Sequence, residues 1–391
     1  MPDTNAVRAF LENSHLTLAE RIAAFAANDI ARFPHPLDDA AARKQARELL
    51  TSMGGAGWFA PIGEQDLRAC CLIREALAVV SPLADAVFAL QALGITPLLL
   101  AEHSELQAHL LPKALAGEVM AAFAMTEPGA GSDVAALATV ATRDGDHYVL
   151  NGDKTFISNA GIADFYIVFA STDPTKGRKG ISCFLIAADS SGLEFVGPQI
   201  MSESHPIGEI AFRDCRIPAD CMLGSEGGGL KIGLATLDRL RATVGAAACG
   251  LAERALDEGL HHAVTRHQFG KALGEFQLVQ AKLARMATDL TAARLLVYRA
   301  AFEKDHGADR VTVEASMAKS FATEAAQRIV DEAVQILGGR GVLANSPVDR
   351  LYRSVRALRI YEGTTEIQQL IIARHLLADV APSEPSQTLD T

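Results

Sequence analysis

The sequence has few of the features that mark secreted, metal-binding or disulfide-rich proteins. Its six cysteines include no Cys-x-x-Cys pair, and Cys70 is followed directly by Cys71. We therefore expect reduced and mostly buried thiols rather than a zinc site or a disulfide framework. The histidines at 261, 262 and 267 lack the spacing of a zinc-protease helix, so no metal is predicted.

The chain also lacks a long apolar run and a signal segment. Its most apolar stretches, such as residues 93–101 and 119–125, are much shorter than the roughly 20 residues that cross a bilayer. Residues 1–5 show neither the basic start nor the apolar run of a secretory signal. We expect no membrane insertion, and a cytoplasmic protein or the mature form of an organelle protein.

An excess of positive charge and a dinucleotide-binding motif are missing as well. The 391 residues carry a formal net charge of −11 at pH 7, which argues against a general surface for nucleic acid or anionic membranes. No Gly-x-Gly-x-x-Gly stands between a strand pattern and a helix pattern, which argues against a Rossmann-type site. A nucleotide cofactor would have to be held by local donors and a few cations.

The composition that is present, 49% hydrophobic and 21% charged, is typical of a soluble globular protein. The length of 391 residues allows two or three domains, or one domain with a large insertion. Residues 1–120 are predicted to be a helical domain, with Ala- and Leu-rich helices over 19–30, 40–53, 66–80 and 83–101. Residues 121–225 change to short β-branched and aromatic runs that predict a small barrel or sandwich. Strands are predicted over 139–143, 146–150, 165–170, 181–187, 193–196 and 209–212, the first two joined by the hairpin signal Asp144-Gly145.

Helical periodicity returns over residues 226–380, where four long helices with short connections predict an antiparallel bundle. Residues 381–391 are predicted to be a loose tail. The fold class is therefore α+β and multidomain, with helical regions on either side of a β domain.

Three stretches have residue types suited to binding or catalysis. Residues 125–133 combine glycines and hydroxyls that can present donors to a pyrophosphate, although a plain helix-to-strand turn has the same composition. Residues 156–159, Phe-Ile-Ser-Asn, place an aromatic ring beside a hydroxyl, or simply alternate into a barrel core. Glu362-Gly363 breaks a helical pattern, so the carboxylate either projects into a cavity or lies on the surface near a helix end.

Five motifs occur in order along the chain: Thr126–Asp133 (TEPGAGSD), Arg266–Gly270 (RHQFG), Glu275–Gln277 (EFQ), Gln335–Gly339 (QILGG) and Tyr361–Thr364 (YEGT). Together they resemble the acyl-CoA dehydrogenase family. The resemblance covers about residues 115–380 closely and the N-terminal helices loosely. It implies an N-terminal α-helical domain, a central β-barrel or sandwich domain and a C-terminal four-helix bundle, assembled as a homotetramer with one FAD per subunit.

Matching positions carry the family's cofactor contacts onto this chain. The resemblance implies an FAD that lies between the β domain and the bundle and reaches a neighbouring subunit. Residues implied to line the isoalloxazine and pyrophosphate are Phe123, Met125, Thr126, Gly131 and Ser132, with Phe156, Ile157 and Ser158 over the ring face and its N5 edge. Contacts across the subunit boundary are implied for Arg266, Gln268, Phe269, Gln277, Gln335, Gly338 and Gly339, while Thr364 and Glu366 would close over the cofactor.

The resemblance also gives Glu362 the role of catalytic base. It would take the α-proton of an acyl-CoA thioester as a hydride leaves the β-carbon for flavin N5, producing a trans-2-enoyl thioester. An electron-transfer flavoprotein is the implied acceptor. Some relatives place the base on the first bundle helix, where this chain has Leu240, which supports Glu362. Substrate contacts are implied for Ser132, Asp238, Arg241, Tyr361 and Gly363, although a structural ion pair explains Arg241 equally well.

Some positions depart from the family pattern. Residues 199–208, expected near the acyl-CoA entrance, lack the usual Lys, Gly, Arg and hydroxyl pair, and Ser354 stands where an Asp is usual. Residues 87–100, the expected pocket floor, contain no Arg or Lys, which favours an unbranched or modestly substituted acyl chain over a dicarboxylic one. Alternatives are a dehydrogenase of a carrier-protein-bound or otherwise activated acyl group, a flavin oxidase or monooxygenase, and a flavin-binding protein without turnover.

Overall fold

A computed structural model describes residues 3–101 and 104–378, so the predicted tail at 381–391 lies outside the described residues. The N-terminal region is a helical layer. Aspartates begin two of its helices, because the side chains of Asp38 and Asp66 accept hydrogen bonds from the third following N–H. Two short helices, α3 and α6, were not predicted. The elements are α1 (Asn13–Asn28), α2 (Asp39–Gly55), α3 (Ala60–Glu64), α4 (Leu67–Val80), α5 (Pro82–Ala101) and α6 (Ser104–Leu115).

Helix α5 has the length and hydropathy of a membrane span by composition, so the expectation that no apolar run reaches this length was wrong. It is 20 residues long, and 78% of its most apolar window is buried inside the protein. Its Gly94 packs directly on the first strand of the β domain, since a Cβ at this position would lie 2.1 Å from the Cβ of Ala121. The apolar composition of α5 is that of a core helix.

The central region is an eight-stranded sheet whose strands run in the order β6-β7-β3-β2-β4-β5-β8, with β1 paired in parallel to β4. The hairpin signal is confirmed, because Asp144 pairs with His147 around Gly145 at a φ of 63°. The strands are β1 (Ala121–Ala124), β2 (Val140–Asp144), β3 (His147–Ser158), β4 (Phe165–Ser171), β5 (Ile181–Ala187), β6 (Leu193–Pro198), β7 (Ile207–Pro218) and β8 (Met222–Leu223).

The C-terminal region is a helical bundle, as predicted. Three of its helices are long, and two shorter ones stand where a fourth long helix was expected. Pro347 begins α10, and positive φ angles at Glu362 and Gly363 separate α10 from α11, which stops a fourth long helix from forming. A two-stranded ribbon, β9 (His267–Gln268) and β10 (Lys271–Ala272), follows the first helix. The helices are α7 (Gly229–Thr265), α8 (Gln277–Asp305), α9 (Thr312–Leu337), α10 (Pro347–Leu358) and α11 (Thr365–Ala378).

Small residues in the middle of α7 let other helices approach its backbone. A Cβ at Gly250 would lie 2.2 Å from the main-chain oxygen of Glu75, so α4 touches α7 there. The same part of α4 joins the bundle through buried polar contacts. Arg294 Nε of α8 donates to Glu75 Oε1 at 2.6 Å, and Tyr298 Oη donates to Glu75 Oε2 at 2.9 Å. The N-terminal layer and the bundle therefore share one interior.

All six cysteines are free, and every one except the half-exposed Cys221 is buried. The expectation of reduced, mostly buried thiols is confirmed. Within residues 3–101 and 104–378, no group of three or more His, Cys, Asp or Glu side chains is placed to hold a metal ion.

Candidate active site

The break between α10 and α11 places Glu362 in a left-handed backbone conformation, with a φ of 53°, followed by Gly363 at 89°. A non-glycine residue rarely adopts this conformation unless its surroundings hold it there. The N–H of Thr365 donates to Arg359 O at 3.1 Å and closes the turn. The N–H groups of residues 362–364 have no hydrogen-bond partner within the described chain, so the turn presents free donors.

Two cations from the bundle and one amide fix the carbonyl groups of this turn. Arg241 Nε of α7 donates to Glu362 O at 3.4 Å, and Lys319 Nζ of α9 donates to Gly363 O at 2.6 Å. Gln368 Nε2 also donates to both carbonyls. Lys319 is fully buried, and burial lowers its pKa to about 8. The strained turn is thus clamped to α7, α9 and α11.

The Glu362 side chain itself is left almost free of hydrogen bonds. Its Oε2 atom is buried and has no partner. Burial raises the pKa of this carboxyl group, while the positive charges of Arg74, Lys319 and Arg241 oppose the rise. A buried carboxylate without a partner and with a raised pKa has the properties of a general base awaiting a substrate proton.

Arg74 is a charged neighbour of Glu362 that the sequence analysis missed. The expected pocket floor, residues 87–100, has no cation of its own, but Arg74 comes from α4 and pairs with Asp85, just before that segment. Arg74 Nε and Nη2 donate to the two oxygens of Asp85 at 2.7 and 3.0 Å, and Nη1 donates to Thr243 Oγ1 at 2.9 Å. An Arg eleven residues before a buried Asp gives no recognisable sequence signal.

The implied substrate residues fall into three groups. Arg241 is 4% exposed and forms an ion pair with Asp238, which also accepts from Thr312 Oγ1 at 2.9 Å, so both residues have structural partners. Tyr361 and Gly363 flank the base along the chain, and Tyr361 keeps 39% of its surface exposed. Ser132 lies exposed in the loop after β1.

Phe156 has the geometry of a cofactor contact rather than of a core residue. The register of β3 against β7 shifts between Lys154 and Ile157, and in this bulge Phe156 adopts a φ of 55° with 62% of its side chain exposed. Its neighbour Ile157 is 1% exposed in the core, so only the backbone of Ile157 can face a ligand. The alternation of Phe156 into the barrel core is therefore wrong.

The loop at residues 125–133, where the β domain begins, is anchored by a buried ion pair between Lys154 and Glu127. Lys154 Nζ donates to Glu127 Oε1 at 2.7 Å and to Phe169 O at 2.6 Å, while Glu127 accepts from the N–H of Thr139 at 3.1 Å. Side chains added at Gly129 or Gly131 would meet nothing within 4 Å, so the backbone there is accessible. An exposed aromatic ring beside a glycine loop with accessible backbone fits a flavin and its pyrophosphate.

Other implied cofactor residues near β1 and α11 also make contacts within the protein. Met125 is 5% exposed, and the Phe123 ring packs 5.0 Å from that of Phe169. Thr126 is half-buried, and Thr364 Oγ1 accepts from the N–H of Ile367 at the start of α11.

The divergent segment 199–208 supports the Phe156–Ser158 stretch. The N–H of Phe156 donates to Gln199 Oε1 at 2.9 Å, and Ser158 Oγ lies 2.8 Å from His205 Nε2. Burial lowers the pKa of His205 to about 4, which keeps its ring neutral at pH 7. On its other side the segment meets α2, where Arg43 donates to Ile207 O at 2.8 Å.

The residues implied to reach a neighbouring subunit are not gathered around Glu362. They lie exposed at the ends of α7, α8 and α9, and Phe269 is 94% exposed with a φ of 52°. Such a side chain gains buried contact only from something outside the subunit. The exposed residues of this set are Arg266, Gln268, Phe269, Gln277, Gln335, Gly338 and Gly339. Glu366, implied to close over the cofactor, is also exposed, in the first turn of α11.

Two segments of the chain match models of a known protein family. Residues 122–215 match the description "Acyl-CoA dehydrogenase, middle domain", and residues 227–377 match "Acyl-CoA dehydrogenase, C-terminal domain". A probable acyl-CoA dehydrogenase, FadE25, of Mycobacterium tuberculosis is 38% identical over 377 residues, which are 94% of this chain and 96% of that protein.

Solved structures show the same likeness. Butyryl-CoA dehydrogenase from Megasphaera elsdenii is 34% identical with a TM-score of 0.88 over 94% of this chain and 99% of that one. PigA, solved with FAD and proline, is 32% identical with a TM-score of 0.85 over 94% of this chain and 99% of that one. The protein belongs to the acyl-CoA dehydrogenase family and is an FAD-dependent oxidoreductase.

Proposed function

We propose that the protein oxidises the Cα–Cβ bond of an acyl-CoA thioester to a trans-2-enoyl-CoA, with Glu362 as the base. The observation that carries this proposal is the buried Glu362 carboxyl group, which has an oxygen without a partner in a clamped left-handed turn. Glu362 takes the proton from Cα, and the C–H electrons form the new double bond. FAD, when bound, supplies the acceptor for the hydride that leaves Cβ.

The turn around Glu362 can also stabilise charge on the thioester oxygen. Its free N–H groups are donors of the kind that bind an enolate oxygen as negative charge develops. Arg241 and Lys319 hold the carbonyl groups of the same turn, so these donors keep their direction without reorganisation. Glu362 can therefore be base and oxyanion donor through different atoms.

The proposed substrate is a CoA thioester with an unbranched or modestly substituted acyl chain. Residues 87–100 offer no cation to pair with a second carboxylate. Arg74, on a different helix, already binds Asp85 through two hydrogen bonds. An electron-transfer flavoprotein is the proposed acceptor of the two electrons, and the cytoplasmic location stays a prediction.

Anaerobic mixing of the FAD-loaded protein with a panel of acyl-CoAs tests this function. We expect bleaching of the flavin absorbance with a subset of straight-chain acyl-CoAs and slow reoxidation by air. Reduction only by carrier-protein-bound acyl groups would favour the alternative substrate, for which the divergent 199–208 segment is the motivation. Rapid reoxidation by air would indicate an oxidase, and absence of bleaching by every thioester would contradict an enzymatic role.

The proposed homotetramer predicts a strong effect of a charge at Phe269. We expect Phe269→Asp to lower the association state and the FAD content, because this 94% exposed ring would lose an apolar contact with a neighbouring subunit. Leu37→Asp is the matched control, since Leu37 is also 94% exposed but lies in the loop before α2. Analytical ultracentrifugation would contradict the proposal if both variants kept the same mass as the parent protein.

A further inference from the structure

The hydroxyl group of Ser158 is held by a side chain from the divergent 199–208 segment. Ser158 Oγ lies 2.8 Å from His205 Nε2. Side chains alternate between the two faces of a strand, and Ile157, between Phe156 and Ser158, is 1% exposed in the core. The half-buried Ser158 therefore lies on the same side as the 62% exposed Phe156, which is the side that fits a flavin.

The main chain next to Ser158 is fixed by the same segment. Gln199 Oε1 accepts from the N–H of Phe156 at 2.9 Å, and Gln199 Nε2 donates to Thr155 Oγ1 at 2.9 Å and to Glu209 Oε1 at 3.0 Å. A serine hydroxyl still rotates about its Cβ–Oγ bond, so these contacts do not set the direction of its proton. That direction depends on what the hydroxyl oxygen itself binds.

The His205 ring is carried on a fixed stretch of chain. The N–H of Asn159 donates to Pro206 O at 2.9 Å, and Arg43 of α2 donates to Ile207 O at 2.8 Å. These two carbonyl groups belong to the residues directly after His205. The imidazole thus reaches Ser158 from a backbone that is bonded both to the β domain and to the N-terminal layer.

Only one direction of the Ser158–His205 hydrogen bond suits a flavin. Burial lowers the pKa of His205 to about 4, so at pH 7 its ring is neutral and has one N–H and one bare nitrogen. N5 of an oxidised flavin carries no hydrogen and is an acceptor. If Ser158 donated to His205, its oxygen lone pairs would face a second acceptor. If His205 Nε2–H donates instead, the Ser158 proton stays available to the flavin.

We propose that His205 is a positioning residue that donates its Nε2–H to Ser158 Oγ and so directs the Ser158 hydroxyl proton towards the flavin edge implied to carry N5. The inference rests on the proposed function, because it needs FAD to lie against Phe156 and Ser158. It gives a residue of the 199–208 segment a role at the cofactor, although this segment was expected near the acyl-CoA entrance.

The protonated nitrogen of His205 can be observed in the FAD-loaded parent protein. Solid-state NMR of protein with isotope-labelled histidine nitrogens distinguishes an N–H from a bare ring nitrogen, and the spectrum of His205→Gln identifies the His205 signals by their loss. We expect Nε2 to carry the proton and Nδ1 to be bare. A bare Nε2 in the oxidised protein would overturn the inference. Because the measurement is made on the parent protein, it stands even if a His205 variant fails to bind FAD.

Replacing His205 by a side chain of similar length without a donor should release the Ser158 hydroxyl. In His205→Met loaded with FAD that is isotope-labelled at N5, the N5 resonance should move downfield, the direction expected when a hydrogen bond to this nitrogen is lost. FAD binding should weaken by about two- to tenfold, the effect of losing one hydrogen bond. His205→Gln, whose side-chain amide also donates, should keep the parent resonance and affinity.

Ser204→Ala is the matched control within the same segment. Ser204 directly precedes His205, but its Oγ donates to Pro36 O at 3.4 Å, in the N-terminal layer. This variant should keep the N5 resonance and the FAD affinity of the parent protein. An equal shift in Ser204→Ala and His205→Met would overturn the inference, because the segment as a whole would then hold the serine.

A double-variant cycle shows whether His205 acts through Ser158. Ser158→Ala should move the N5 resonance as His205→Met does, and adding His205→Met to Ser158→Ala should move it no further. A further shift would mean that His205 acts on the flavin by another route, which contradicts the inference. None of these measurements involves turnover. Normal reduction by Glu362→Gln would therefore reject the proposed base alone, whereas an unmoved N5 resonance in His205→Met would reject only the role of His205.

Discussion

Glu362→Gln should lower the rate of anaerobic flavin reduction by about two to four powers of ten, the range expected when a general base is removed. The amide has nearly the same shape but cannot take the α-proton. FAD binding should be retained, because Oε2 of Glu362 makes no hydrogen bond that the substitution could break. Stopped-flow absorbance of the flavin measures the rate, and the visible spectrum of the purified variant measures its FAD content.

The control for this substitution is Glu64→Gln, the same chemical change at an exposed carboxylate that ends α3. It should reduce at the rate of the parent protein. If Glu362→Gln also reduced at a near-normal rate, the proton would have to be taken by another group, and the proposed mechanism would fail. The parent rate should rise with pH through the raised pKa of Glu362, since only the ionised carboxylate accepts the proton.

Lys154→Met should lower the free energy of unfolding by ~3–5 kcal/mol, the cost of leaving one member of a buried ion pair alone. Lys154 is fully buried and donates to Glu127, Phe169 O and Met125 O. The substitution strands the Glu127 carboxylate in the core and frees the loop that it holds. We therefore expect a lower midpoint of thermal unfolding together with weaker FAD binding.

Lys176→Met is the comparison for this stability effect. Lys176 pairs with Asp173 at 2.9 Å, but its side chain is 66% exposed, and surface pairs contribute at most about 1 kcal/mol. Circular dichroism melts and flavin release should therefore change little in this variant. Equal losses in both lysine variants would show that the Lys154–Glu127 pair does not support the loop.

Much of the architecture could be predicted because hydrophobic pattern and turn residues act locally. The strand at 181–187 agrees with its predicted bounds, and the Asp144-Gly145 hairpin forms as its turn chemistry requires. The helical bundle was predicted from its periodicity, but the division between α10 and α11 was not. Periodicity continues on both sides of Glu362, while the left-handed break is held by Arg241 and Lys319 from distant helices.

Residues of the site could be predicted only where a short stretch of sequence forms a recognisable motif. Glu362 could be identified from its motif, but the direction of Phe156 depends on a bulge that pairing between β3 and β7 creates. Arg74 could not be identified, because its position depends on hydrogen bonds to Asp85 and Thr243, which lie on other helices. Local sequence predicts elements and motifs well, and it does not predict which buried charges those elements bring together.

The contact between Glu75 and the pair Arg294 and Tyr298 has a consequence for chimeras built from relatives. A transplanted α4 that lacked this carboxylate would leave Arg294 to Glu253 alone and the phenol without an acceptor. Such a hybrid should express poorly unless positions 294 and 298 were exchanged along with the helix. During evolution we also expect Glu75, Arg294 and Tyr298 to be replaced together rather than one at a time.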